Sequence, residues 1–291
     1  MTSKIYENVT NRIIERIEAG NMSSWLKSWS AQGSGAPVNP VTGTEYSGIN
    51  YLLLSLAGYD NQNWLTYKQA QKLGANVRKG EKSTMIIFYK KLNFKEQGEN
   101  GAEIEKAIPM LRGYLVFNAS QIDNLPAKYQ LQAPARPRQV SNLFELAVNA
   151  GLKVEQGGSK AFYSPVHDMI KLPQIEAFID NESFEATLLH EMTHLTGHKT
   201  RLDRFKKFDR FGSESYAFEE LIAELGSAFA CAKLGIESTG LQHAEYINSW
   251  LKVLKKDKQA IFKAATEAQK ACNWLIEKLN TQTQSLIQQS A

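Results

Sequence analysis

Residues 183–198 read SFEATLLHEMTHLTGH, and His190, Glu191, Met192, Thr193 and His194 at their centre form a His-Glu-x-x-His pattern. On a helix, positions i and i+4 lie one turn apart on one face, so both imidazoles can reach a single ion. Glu191 projects beside them, placed to take a proton from water at the position the ligands leave open. A catalytic zinc centre keeps three protein ligands and one open position, so a further ligand must come from elsewhere in the chain. Phe184, Leu188, Leu189, Met192 and Leu195 give this helix a core-facing side. Ser183 is its expected N-cap, and it should run to about Thr196.

The next helical stretch, about Ser215 to Leu234 with Gly235 as its stop, contains Glu219-Glu220-Leu221-Ile222-Ala223-Glu224. Its acids at 220 and 224 are again i and i+4. Glu220 is assigned as the third ligand, with Glu224 one turn on and hydrogen-bonding a ligating imidazole from behind; Glu224 as the ligand is the alternative. Glu219 should lie on a solvated face, and small Ala223 should let the two helices approach. A histidine at position 200 would complete a three-histidine set, but the residue is Thr200. His198 follows Gly197 and is expected in a loop or on the substrate side, while His167 and His243 read as structural. An oxyanion donor could be His167, Tyr163, Tyr216 or Tyr246. The expected cofactor is one divalent metal, zinc in the first place, with manganese and cobalt suited to the same ligands.

The whole chain has 291 residues, 43% apolar and 22% charged, which is a globular composition with room for two domains. No apolar run approaches the roughly 18 residues of a membrane span. The first twenty positions lack the basic-then-apolar order of a secretory signal. Two cysteines, Cys231 and Cys272, with no Cys-x-x-Cys pair argue against a disulfide framework or a cysteine zinc site. A cytoplasmic location and no membrane partner are the expectation. Oligomeric state is not legible.

Charge is uneven. Residues 1–139 hold 17 Lys+Arg against 11 Asp+Glu, whereas 140–291 hold 17 against 19 and all five histidines. The Pro-containing stretch Pro126 to Gln139 reads as a linker, which divides the chain into 1–128 and 140–285. Ile5, Val9, Ile13 and Ile17 predict a first helix ending at Gly20. Thr66 and Gln69 form a capping-box pattern opening a short helix. Ser83–Tyr89 and Gly113–Phe117 read as strands joined by a loop over Lys95–Gly101. Asn142–Ala150 should be helical, Ala161–Tyr163 and Met169–Leu172 short strands, and 243–256 and 257–279 helices, with a fraying polar tail from Thr281. The fold class is therefore α+β, with a mostly helical second domain.

The first half interleaves aromatic and basic residues: Trp64, Tyr67, Lys68, Lys72, Arg78, Lys79, Lys82, Phe88, Tyr89 and Lys90, preceded by Trp25, Trp29, Tyr46 and Tyr51. Stacking on aromatic faces together with phosphate neutralisation is how single strands are held. The turn Arg78-Lys79-Gly80-Glu81-Lys82 suits a phosphate contact. Trp25 and Trp29, in a polar stretch, are candidates for stacking, and Phe88, Phe94, Tyr114 and Phe117 are expected in the core.

Several longer stretches resemble the plasmid anti-restriction proteins of the ArdC type, whose domains are related to parts of TraC-type plasmid primases. The resemblance rests on Val38–Gly43, Tyr46–Asn50, Trp64–Ala70, Val77–Glu81 and Val116–Gln121 in the first half, and on His190–Arg204, Glu219–Phe229 and Tyr246–Lys270 in the second. It implies an N-terminal domain that binds single-stranded DNA and a C-terminal zincin-like metallopeptidase domain. It also implies a protein that shields incoming plasmid DNA from host restriction endonucleases during conjugation. Tyr46, Asn50, Trp64, Lys68, Gln69, Arg78 and Lys79 match the first-domain motif and carry over as DNA contacts. Met22-Ser23-Ser24-Trp25 departs from relatives that place proline before the tryptophan. Two rival readings accompany this one: a zinc protease tethered to DNA that cuts DNA-bound proteins, and a purely occluding DNA-binding protein with a structural metal. A protein substrate is the partner that the peptidase-type centre implies.

Overall fold

Apolar residues spaced by four build the first helix, α1 (Thr2–Glu18), which buries Val9, Ile13 and Ile17. It opens a computed structural model that describes residues 2–19, 36–97, 103–130, 142–205, 213–236 and 246–289. Strands β1 (Val38–Asn39) and β2 (Thr44–Glu45) pair antiparallel and lead to α2 (Ile49–Ser55). Strand β3 (Trp64–Thr66) runs directly into α3 (Tyr67–Lys72). The expected capping box is there: the Thr66 hydroxyl accepts from the Gln69 N–H, and the Gln69 side-chain oxygen accepts from the Thr66 N–H. Two helix-end donors are thereby satisfied.

After β4 (Asn76–Val77) comes a long hairpin, β5 (Thr84–Gln97) and β6 (Glu103–Asn118), and then β7 (Ile122–Asp123), which returns to pair with β4. β6 is central in a three-stranded sheet of order β3–β6–β5. Both hairpin strands run further than the sequence suggests. Lys95–Gln97, read as loop, continue the ladder, with Lys95 registered opposite Glu105, because backbone pairing persists through residues of low strand propensity. Residues 98–102 lie outside the described residues.

Phe88 and Tyr114, expected in the core, are 53% and 45% exposed. The cover on their sheet face, made by Tyr46 and Leu54 packing on Trp64, Ile86 and Val116, stops short of them. Phe117 is half-buried against the small cluster around Leu65, and the Phe94 side chain lies outside the described residues. The stretch read as a linker begins with a short helix, α4 (Ala127–Gln130), and its residues from 131 lie outside the description.

In the second half, Asn142 caps α5 (Leu143–Asn149) by accepting from the Glu145 N–H. Strands β8 (Val154–Gln156), β9 (Phe162–Ser164) and β10 (Met169–Leu172) form a sheet of order β8–β10–β9, with β10 parallel to β8 and antiparallel to β9. Among the described residues four α-helices follow: α6 (Asn181–Thr196), α7 (Glu214–Leu234), α8 (Ile247–Lys256) and α9 (Ala260–Gln289). The cap of α6 is Asp180, which accepts from the Ser183 N–H at 2.7 Å, so the helix starts two residues before Ser183. Gly235, left-handed at φ 71°, ends α7 as expected. The polar tail from Thr281 is helical, as part of α9, which extends to Gln289.

One core joins the two domains. Ile13 of α1, Leu52 of α2, Ile87 of β5 and Leu111 of β6 belong to the same cluster as Leu189, Leu225, Phe229, Leu254 and Leu275. The Thr10 hydroxyl also donates to the Lys258 carbonyl at 2.6 Å. The sequence boundary thus separates two regions that support each other, and cutting there would expose α1's apolar stripe and its partners.

Helices α6 and α7 pack tightly at Gly226, where an added Cβ would stand 2.5 Å from Thr193 Cγ2. Ser227, next to it, donates to the Ala186 carbonyl at 3.0 Å. Thr193 is fully buried and its hydroxyl donates to the Leu189 carbonyl, so it cannot swing aside. We expect Gly226→Ala to destabilise the protein by about 1–3 kcal/mol despite alanine's better helix propensity. In chemical denaturation, adding Thr193→Ser, which deletes Cγ2, should restore most of that loss; an unchanged midpoint in Gly226→Ala would contradict the close crossing.

Candidate metal centre

The two motif histidines of α6 point at each other, with His190 Nε2 and His194 Nε2 3.2 Å apart. From α7, Glu220 lays its carboxylate across both, Oε2 3.5 Å from His190 Nε2 and Oε1 3.5 Å from His194 Nε2. One ligand atom from each of the three falls within 4.8 Å of the other two. Ligands about 2.0–2.1 Å from one ion at tetrahedral angles stand roughly 3.3 Å apart, so the spacing fits a single cation. The donor set, two imidazole nitrogens and a carboxylate, fits a divalent one. Among the described residues no other three such side chains converge this way.

Four carboxylates, from Glu191, Glu219, Glu220 and Glu224, gather around these two rings. Burial pushes the His190 pKa down, against the pull of Glu220, which favours the neutral imidazole a metal requires. Burial acts on His194 in the same sense, but hydrogen bonds to Glu219 and Glu220 outweigh it and raise its pKa to about 10. Glu220 is itself held far below the ordinary carboxylate range, because its bonds to His190 and His194 outweigh its burial. Burial, reinforced by the Glu220 charge, pushes Glu224 well up. Glu191 is raised to about 7, mainly by burial, with the backbone N–H of Tyr163 on β9 acting in the opposite sense. A buried carboxyl titrating near neutrality beside a metal site is suited to proton transfer.

The layer behind the ligands differs from the sequence expectation. Glu224 Oε1 lies 4.0 Å from His190 Nδ1, on the expected side but beyond hydrogen-bond length. Glu219, expected in solvent, is only 7% exposed. Its Oε1 stands 3.4 Å from His194 Nδ1 and accepts from Arg204 at 2.8 Å. The Arg204 side chain is 5% exposed and also donates to the Thr193 carbonyl and the Thr196 hydroxyl, both at 2.7 Å. An α7 position that pattern alone places outward is covered by a residue arriving from beyond the end of α6. The resulting chain, Arg204 to Glu219 to His194, orients the ring so that Nε2 faces His190 and Glu220. We expect Glu219→Gln to weaken divalent-metal affinity about 10–100-fold, measured by competition with a chelating dye; an unchanged affinity would leave Glu219 a fold residue only.

The oxyanion candidates separate. The Tyr163 hydroxyl donates to Asp168, which also pairs with Arg201. His167 is exposed in the β9–β10 turn. Tyr216 is bonded to Glu220, which raises the phenol's pKa together with the larger effect of burial, and Tyr246 lies beside it, the ring centroids 5.8 Å apart. His198 turns away from the pair, its Nδ1 2.8 Å from the Thr200 hydroxyl. His243 lies outside the described residues.

The nucleic-acid candidates divide as sharply. Trp64 and Tyr46 are 1% and 8% exposed, in the cluster under the β3–β6–β5 sheet. Neither ring has a face open to a base, so both act as core residues in place of the stacking role carried over to them. The Asn50 amide donates to the Ile87 carbonyl and its oxygen accepts from the Ile87 N–H, and the Gln69 side chain is used by its cap and by Asn39. These two brace backbone and are not presented to DNA. Lys68, Lys79 and Lys82 are exposed. Arg78 is 43% exposed and bridges Glu81, Asp123 and the Ser120 carbonyl. Trp25 and Trp29 lie outside the described residues. No helix among the described residues is long and apolar enough to cross a membrane.

Against this geometry, comparison with known proteins gives consistent matches. Residues 3–117 match the family described as the N-terminal domain of anti-restriction factor ArdC, and residues 141–267 match the zincin-like metallopeptidase family. The chain is 42% identical to the antirestriction ArdC protein of the R388 plasmid. It superposes on the metal-free crystal structure of that protein with a TM-score of 0.79, covering 95% of this chain and 98% of that one. The Mn(II)-bound structure of the same protein matches with a TM-score of 0.77. The protein y4eC of Sinorhizobium fredii is 38% identical, with 93% of this chain and 91% of that protein aligned. DNA primase TraC of Escherichia coli is also 38% identical over 98% of this chain, which spans only 28% of the primase.

Proposed function

The chain belongs to the antirestriction ArdC family, and from that premise we propose that it binds single-stranded DNA and protects incoming plasmid DNA from host restriction endonucleases during conjugation. The observation that carries the reading is the near-complete match to an antirestriction protein, joined to the convergence of His190, His194 and Glu220 on one point, with Glu191 beside them, which supports a metal centre of peptidase type. We assign zinc as the ion, held by His190, His194 and Glu220, since two histidines and a glutamate are a donor set of catalytic zinc. Manganese and cobalt suit the same set, and the R388 relative holds Mn(II).

When bound, the ion supplies Lewis acidity at the open position. The chain's own residues do the rest. His190 and His194 present Nε2 from one helix face, Tyr216 and the two rings fix the carboxylate of Glu220, and Arg204 with Glu219 fixes His194. Glu191, raised to about 7, takes and returns a proton beside them. Its placement specifically favours a hydrolytic centre over a metal that only braces the fold. A DNA-tethered peptidase acting on DNA-bound proteins is therefore the second reading.

On the DNA side, exposed Lys68, Lys79 and Lys82 with Arg78 are the proposed phosphate contacts. Each neutralised phosphate contributes about −0.7 to the slope of log affinity against log salt on single strands. Three or four contacts predict a slope of about −2 to −3, a loss of roughly 16-fold or more between 50 and 200 mM salt. Anisotropy titration of a labelled oligonucleotide, alongside protection of transferred plasmid DNA in a restricting host, tests the reading. Salt-independent binding, or transfer no better than in its absence, would overturn it.

A further inference from the structure

Two aromatic rings stand together in solvent on the DNA-binding half. Phe88 of β5 and Tyr114 of β6 are 53% and 45% exposed, and they meet edge to face, centroids 5.1 Å apart at 79°. The register sets Phe88 opposite Arg112 and Tyr114 opposite Ile86. Residues directly opposite each other, and those two apart along a strand, share a sheet face. Phe88, Tyr114 and exposed Arg112 therefore form one continuous patch. An edge-to-face pair leaves ring faces open that a third flat group can cover.

We propose that Phe88, Tyr114 and Arg112 are the platform on which this protein stacks the bases of single-stranded DNA. The inference rests on the single-strand-binding reading above and names the surface that performs it. Three observations support it. First, the backing is rigid: Ile87 and Leu111, on the opposite face of the same strands, are 5% and 8% exposed and anchored in the core shared by both domains. The rings are thus held in place before any ligand arrives, which lowers the ordering cost of binding. Second, the charge is complementary. Segments 84–92 and 108–118 contain no acidic residue, and exposed Arg112 puts a positive charge on the patch itself. Third, the exposed apolar surface is aromatic and carries a guanidinium partner, the combination that holds unpaired bases with little sequence preference. The patch also takes over the role that buried Trp64 and Tyr46 cannot play.

The test uses the full chain and a fluorescein-labelled oligo-dT, read by anisotropy. Phe88→Leu with Tyr114→Leu keeps apolar bulk but removes both ring faces; affinity is expected to fall at least about tenfold. Phe88→Tyr with Tyr114→Phe keeps the faces and should bind as the parent does. Arg112→Ala should reduce the salt slope by about 0.7. Photocrosslinking of a bromodeoxyuridine oligonucleotide to the parent protein should label peptides carrying Phe88 or Tyr114, a readout independent of any variant's folding. If the parent protein fails to bind oligo-dT, the single-strand reading itself falls. If the parent binds and the double leucine variant binds equally well, or crosslinks map only elsewhere, the platform is overturned while single-strand binding stands. A double leucine variant that keeps its DNA affinity but changes oligomeric state would assign the patch to protein docking instead.

Discussion

Glu220→Ala is expected to cost this protein its divalent ion at metal concentrations that just saturate the parent, whereas Glu224→Gln retains it. Binding of a structural zinc by four ligands is worth about 10–16 kcal/mol, so one ligand represents roughly 2.5–4 kcal/mol, a loss on the order of 100- to 1,000-fold. Glu220 is the carboxylate within 3.5 Å of both Nε2 atoms. Glu224 Oε1 stands 4.0 Å from Nδ1 of His190, on the side of the ring facing away from the pair. Burial also raises the Glu224 pKa well above the ordinary carboxylate range, so a neutral amide in its place changes little charge. Equilibrium dialysis with Zn(II) or Mn(II), followed by metal analysis, separates the two. Loss of the ion in Glu224→Gln with retention in Glu220→Ala would exchange their roles.

Part of that arrangement was legible because it is local: four-residue spacing puts His190 above His194 on α6, and Glu220 with Glu224 on one face of α7. The same spacing leaves open which of the two acids is the ligand, and it is tertiary packing that brings Glu220 nearer both rings. Glu219 was not readable. α7 is buried on nearly all sides, so the position beside Glu220 has no solvent to face, and the guanidinium that compensates it comes from Arg204, which sequence order does not place near it. Likewise Gly226, which sets the helix approach, draws its importance from a neighbour on α6, Thr193. In the first half, composition could mark the aromatic residues but not sort them. Trp64 and Phe88 are both strand residues of the same sheet. One lies under Tyr46 and Leu54 and the other beyond their reach, a difference set by tertiary packing. The strand ladder past Lys95 was hidden for a related reason: its partner, not its own propensity, keeps it extended.

Glu191→Gln should keep the ion and lose any peptide hydrolysis by about 100- to 10,000-fold, the usual contribution of a positioned general base. The substitution removes the proton-accepting oxygen while preserving shape. Glu191 is not among the three converging ligand residues, so metal content should match the parent's. Its carboxyl is buried, 7% exposed, and raised to about 7 with the Tyr163 backbone beside it, an environment in which a neutral amide is tolerated better than a charge. The variant therefore separates three readings that share one structure. Hydrolysis of a DNA-bound protein by the parent, stimulated by single strands and absent in Glu191→Gln, would establish a tethered peptidase. Protection of transferred DNA that survives Glu191→Gln but fails when Phe88 and Tyr114 lose their rings would make occlusion by the first domain sufficient. If protection disappears in Glu191→Gln while metal content and oligonucleotide affinity hold, the chemistry of the metal centre is itself the antirestriction device. Should the glutamine variant lose its metal, Glu191 is part of the coordination shell and the general-base assignment fails.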